Sequence, residues 1–175
     1  MAETHLPGIE KSTPLSLESR QIKRELMSLD KVISDYESYH KDPLNIKIHV
    51  VCVPLIILSV LGMLNAIPIA WGPVRIGHII CSLYFSYYIF YARPYLLPCF
   101  AMFAALIAAD FQLAKLSTQL YLSIHISLFV VCWILQFLGH KKEGNKPAFI
   151  DNKESGLHSA FMAPILVIRH IRIIF

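Results

Sequence analysis

The stretch IHVVCVPLIILSVLGMLNAIPIAWGPV, residues 48–74, contains no Lys, Arg, Asp or Glu. It is longer than the roughly 20 apolar residues that carry a helix across a bilayer. A second uncharged run, Leu116 to His140, is also long enough. Between the two lie shorter runs, Ile76 to Ala92 and Pro94 to Ala109, separated only by Arg93. Each reaches the lower limit for a span, and Arg93-Pro94 suits a tight turn. The whole chain agrees: 55% of its 175 residues are hydrophobic and 16% charged, against roughly a quarter charged in a soluble domain. Mean hydropathy is +0.54. The expectation is an all-α integral membrane helical bundle with about four spans, near 48–66, 75–92, 94–113 and 118–139.

Outward from the spans the chain becomes polar. Residues 1–13 read as a loose tail ahead of a single membrane domain, 14–175. Thr13-Pro14 can open a helix, Thr as cap and Pro in the first turn. From there Ile22, Leu26, Leu29, Ile33, Tyr36 and then Tyr39 or His40 recur at helical spacing. That predicts an amphipathic helix over 14–40 whose apolar stripe packs on the bundle or lies on the membrane surface. No signal peptide is expected from a start so polar. A last apolar run, Ser155 to Ile168, predicts a C-terminal helix within 155–174, either re-entrant, interfacial or a tilted fifth span.

Charge sets the topology. Four spans leave only Arg75 and Lys115, of 16 Lys and Arg residues, on one side of the membrane. Short cytoplasmic loops are the ones enriched in Lys and Arg, so the N-terminus is expected to be cytoplasmic. The net charge of +4 suits anionic headgroups, and the basic residues flank membrane segments rather than forming a nucleic-acid module. Cys52, Cys81, Cys99 and Cys132 fall singly in four apolar runs, which fits packing residues and neither a zinc ribbon nor a disulfide framework.

Two polar constellations stand at the basic face. In the first, Asn45 and His49 are four residues apart and share a helix face, while Pro43 starts that helix and leaves His40 before it. A bend at Pro43 would let His40 and His49 converge. Imidazoles there serve as metal ligands or as hydrogen-bonded residues at headgroup level. In the second, Gln136, His140 and Glu143 follow at spacings of four and three, so all can face one way if the helix continues. A snorkelling helix end explains Lys141 and Lys142 but not Gln136 inside the apolar run, because polar groups there are costly. Three histidines and a carboxylate on one face make a possible metal site at the interface. His78 and His125 lie nearer the opposite face and are not expected to share it.

Taken together, His40, Asn45 and His49, then Trp133, Gln136, Phe137, Gly139, His140, Glu143, Pro147 and Ala148 resemble the Mpo-like family of fungal endoplasmic-reticulum proteins and bacterial homologues. Ala163-Pro164 matches a further Ala-Pro of the pattern. The resemblance covers most of residues 30–170. It implies an iron(II)-dependent dioxygenase that shortens 2-hydroxy fatty acids by one carbon, in the endoplasmic reticulum or a bacterial inner membrane. His40, His49 and His140 would then hold Fe(II), with the substrate's 2-hydroxyl and carboxylate chelating it. Asn45, Gln136 and Glu143 would orient the centre, although Glu143 could equally be a ligand. Lys141, Lys142 or Lys146 would attract the substrate carboxylate. One departure stands out: several members carry Glu where this chain has His170. His170 and His158 are therefore spare imidazoles, either ligating or structural.

A non-catalytic reading, such as a metal-ion carrier or a structural bundle, calls for ionisable residues along a path through the bilayer. Asp110 alone fits even loosely, and Lys115 is close enough in sequence to pair with it. A di-iron hydroxylase would show repeated HxxH elements, which this sequence lacks. Substrate chain length and oligomeric state are left open.

Overall fold

Asp42 and Pro43 decide where the first long helix starts. The Asp42 carboxylate accepts the Leu44 and Asn45 N–H groups at 2.8 and 3.2 Å, and Pro43 takes the first helical position, where its missing N–H leaves nothing unpaired. The computed structural model describes residues 28–147, 150 and 153–171, with the side chains of 153–158 left aside. Its helices are α1 (28–37), α2 (Pro43–Asn65), α3 (Ile76–Tyr91), α4 (Leu96–Leu113), α5 (Thr118–Glu143) and α6 (Lys153–His170). A 3-10 turn, Arg93–Tyr95, joins α3 to α4.

This is a helical membrane bundle. Pro43–Asn65, Arg93–Leu113 and Thr118–Glu143 are long and apolar enough to cross a membrane, while Ile76–Tyr91 is a shorter apolar helix. At 16 residues α3 extends roughly 24 Å, less than the ~30 Å hydrocarbon core. Between α2 and α3 the loop carries an element that the apolar pattern did not announce. It is a two-stranded antiparallel hairpin pairing Ala70 with Arg75 and Trp71 with Val74. Gly72, at φ 62°, supplies the positive φ that a two-residue hairpin turn demands.

Helix α2 is the central element, packed mainly on α5 and also on α3, α4 and α6. It runs antiparallel to α5 at very close range. A Cβ on Gly139 of α5 would collide with the Asn45 side chain, and one on Gly62 of α2 would collide with the His125 ring. The apolar stripe of α1 is turned inward: Leu29 and Ile33 are buried against Tyr88, Cys99, Phe103 and Met162. Residues 14–27 of the predicted amphipathic helix lie outside the described residues. All four cysteines are buried and free.

The C-terminal helix is an inner element, with Met162, Pro164, Ile165 and Leu166 almost inaccessible. Pro164 has no N–H to give to the Ala160 carbonyl. The Tyr84 hydroxyl of α3 donates to that carbonyl instead, and the Tyr88 hydroxyl donates to the Phe161 carbonyl at 2.8 Å. Arg169 then fastens α6 to α1 through Glu37 at 2.7 Å.

A candidate metal centre at one end of the bundle

Three elements bring the imidazoles together. His40 ends the turn after α1, His49 stands on the second turn of α2, and His140 lies in the last turn of α5. The ring centroids are 4.4 Å apart for His40 and His49, 5.0 Å for His40 and His140, and 4.9 Å for His49 and His140. One ring nitrogen from each falls within 4.8 Å of the other two. All three side chains are buried. The bend at Pro43 is what permits this, because His40 and His49 are too far apart in sequence to meet on one straight helix.

Two of the rings are held in a defined tautomer. His40 Nδ1–H donates to the Tyr36 carbonyl and His49 Nδ1–H to the Asn45 carbonyl, both at 2.9 Å. Each bond leaves Nε2 as the atom carrying a lone pair, the arrangement in which a second hydrogen bond orients a metal-ligating imidazole. His40 Nε2 is buried and has no hydrogen-bond partner, a costly state for a polar atom unless something binds it. Burial holds the His40 imidazole far below its ordinary range, at about 4. His140 and His170 push the same way, against the Tyr36 carbonyl and Glu143. His40 is therefore neutral near pH 7, as a ligand must be. A donor set of three imidazole nitrogens suits a divalent transition metal and leaves coordination positions open.

Glu143 is not part of the triad. One of its oxygens accepts the Lys41 N–H and, at 3.0 Å, the Asp42 N–H. The other accepts the Asn45 side-chain amide, whose nitrogen also lies 3.5 Å from His140 Nδ1. The carboxylate thus clasps the end of α5 to the start of α2 and fixes the separation of His49 and His140. Gln136, one turn before His140, is buried and lines a cavity of about 660 Å³ that the three histidines also line. Lys141, Lys142 and Lys146 are exposed and do not line the cavity; Lys142 pairs with Asp42 at 3.3 Å. His170 donates to the Leu166 carbonyl at 3.1 Å. Ala148 and the His158 side chain lie outside the described residues.

The opposite end holds a second polar group. Asp110 of α4 accepts the Asn65 amide and the Tyr121 hydroxyl, each at 2.7 Å, with His78 and His125 each 3.6 Å from its oxygens. Pairing with Lys115 does not occur: that ammonium donates to the Gln112 side chain at 2.6 Å instead. Asp110 sits on the inner face of its helix, where Asn65 and Tyr121 reach it. Sequence reading missed this cluster, and also Asp42 as the cap of α2 and the Tyr36 carbonyl as the orienter of His40. The signals were present in Asp42-Pro43 and in Asn65 and Asp110 as polar residues within apolar runs.

Fold and site define a membrane-embedded helical bundle with a buried three-histidine centre. Comparison with known proteins narrows this to a family. A family model described as "2-hydroxy-palmitic acid dioxygenase Mpo1-like" matches residues 26–171. The chain is also 31% identical over 143 residues to "2-hydroxy-palmitic acid dioxygenase MPO1" of Saccharomyces cerevisiae (strain ATCC 204508 / S288c), covering 81% of this chain and 78% of that one. The chain belongs to the Mpo1-like family and is a dioxygenase. No solved structure is significantly similar to it.

Proposed function

We propose that the protein is an iron(II)-dependent dioxygenase that converts 2-hydroxy fatty acids into fatty acids one carbon shorter. The observation that carries this reading is the convergence of three buried imidazoles at the head of a long apolar cavity. The yeast relative's name supplies the substrate class. His40, His49 and His140 would hold the metal. Bound Fe(II) would supply the redox chemistry by which one dioxygen oxidises the 2-hydroxy acid by four electrons: the C1–C2 bond breaks, C1 leaves as carbon dioxide, C2 becomes the new carboxyl carbon, and the remaining oxygen leaves as water.

The protein's own residues do the rest. Tyr36 and Asn45, through their carbonyls, aim two imidazoles, and Glu143 sets the spacing of the helices that carry His49 and His140. Gln136 offers a polar group beside the head of the substrate. Lys141 and Lys146, exposed next in sequence to the cavity-lining His140 and Pro147, favour approach of a carboxylate; Lys142 is already engaged by Asp42. Apolar walls keep bulk water from the reacting end. Residues from α1 onward act as one membrane domain among membrane lipids. The basic histidine end faces the cytoplasm together with the N-terminus, in the endoplasmic reticulum or a bacterial inner membrane.

The test is oxygen uptake by detergent-purified, iron-loaded protein given 2-hydroxypalmitate. Iron-dependent turnover to pentadecanoate, lost in both His40→Ala and His140→Ala, is the expected result. Turnover that persists in either variant would remove that histidine from the centre.

A further inference from the structure

The cavity does not stop at the histidines. On α2 it is lined by one continuous face, from His49 through Val53, Ile57 and Leu61 to Leu64. Fifteen residues of helix separate those ends, about 22 Å. Beyond Tyr84 the opposing wall is α3, which contributes Ile80 and Gly77. Among the described residues the lining ends there, with none beyond Leu64 on α2 or before Gly77 on α3. Leu64 and Gly77 form its last apolar surface, and behind them stands Asn65, fully buried and donating to Asp110. α3 packs directly on α2 at this point, because a Cβ on Gly77 would collide with the Asn65 side chain and the Leu61 carbonyl. An apolar chain reaching this wall would have to strip a hydrogen-bonded carboxylate to go further, at a cost far above the gain from one more buried methylene.

We infer that this groove is the acyl-chain site and that Leu64, backed by Gly77 and Asn65, is the stop that sets the chain length which the centre accepts. The inference rests on the functional reading above, since the carboxyl end is placed by the histidine centre. Its length is informative. One leaflet of a bilayer gives its chains about half of the ~30 Å hydrocarbon core, or ~15 Å. A groove of about 22 Å therefore takes a chain held more extended than in lipid, which selects long saturated acids over medium ones. Val60 and Ile80 line the groove and are 38% and 41% exposed. Its side is thus open toward lipid between α2 and α3, so that a chain enters sideways from the membrane.

Displacement of a fluorescent fatty acid by 2-hydroxylaurate, 2-hydroxypalmitate and 2-hydroxystearate tests the stop without relying on turnover. It is run on the wild type, Leu64→Trp and Leu64→Ala, and read as the ratio of stearoyl to lauroyl affinity, in which any unfolded fraction cancels. Leu64→Trp is expected to lower the ratio about tenfold, the effect of expelling two methylenes. Lauroyl binding is kept, and Leu64→Ala holds or raises the ratio. A ratio unchanged in Leu64→Trp, or a wild type that binds none of the three acids, overturns the stop. A wild type that binds them with this pattern but consumes no oxygen leaves the stop standing and refutes the dioxygenase reading instead.

Discussion

His40 carries the largest share of the argument at the scale of single residues. Its Nδ1–H is committed to the Tyr36 carbonyl and its Nε2 is buried without a partner. In the unfolded chain the same ring titrates near 6.5, whereas folding lowers it to about 4. The folded state therefore binds fewer protons, and the stability this contributes is present above pH 6.5 and lost as pH falls toward 4. Thermal melts of the metal-free protein in detergent should show the melting temperature dropping across that window. In His40→Asn, which keeps a polar side chain but does not titrate, the drop should be smaller. Glu143 is the second decisive residue. Its carboxylate receives two backbone N–H groups and the Asn45 amide, so its loss loosens the imidazoles without removing any of them. Glu143→Ala is expected to weaken iron binding about 10- to 100-fold, the usual effect of removing an orienting partner. Lys142→Ala, which cuts only the exposed pair with Asp42, should leave iron affinity within about twofold. Iron titrations of the two variants check both statements.

Helix α2 against α5 is where element-scale precision enters. Gly139 lets the Asn45 side chain lie against the α5 backbone, and Gly62 does the same for the His125 ring at the far end. Adding one methyl at either glycine pushes the same two helices apart, with different consequences. Gly139→Ala displaces Asn45, which touches both Glu143 and His140, and should cut kcat by roughly 100-fold, as a 1 Å misplacement near the chemistry can. Gly62→Ala disturbs only the Asp110 end and should lower the melting temperature while leaving the specific activity of folded protein close to wild type. Activity and melting curves on the two variants separate these effects. How much of this was legible beforehand depends on the kind of signal. Helix α2 was readable because a long uncharged run has no other stable state in a bilayer, and Pro43 fixed its start. The convergence of His40 with His49 followed from the same proline. The partners of Asp110 were not readable, because helix rotation decides between Lys115 and Tyr121, and rotation is set by packing that no local pattern records. The hairpin at Gly72 escaped for a different reason: its few exposed residues lack the alternating pattern that marks a strand.

Across the whole molecule, two polar groups tie the ends of an apolar bundle. His40, Asn45, His49, His140 and Glu143 join the start of α2 to the end of α5. Asn65, His78, Asp110, Tyr121 and His125 join the end of α2, the start of α3, the end of α4 and the start of α5. That second meeting requires the four helices to alternate in direction, the parity that the charge distribution of Lys and Arg residues also demands. The groove runs between the two groups, and at the histidine end one ring nitrogen from each of three imidazoles falls within 4.8 Å of the other two, the grouping among the described residues that could hold a metal. Iron content after anaerobic loading and desalting, compared among wild type, His40→Ala, His49→Ala, His140→Ala and Asp110→Asn, tests this account most directly. It predicts about one iron per chain in wild type and Asp110→Asn, and near-complete loss in each histidine variant. Iron retained in the three histidine variants, or lost only in Asp110→Asn, would contradict it.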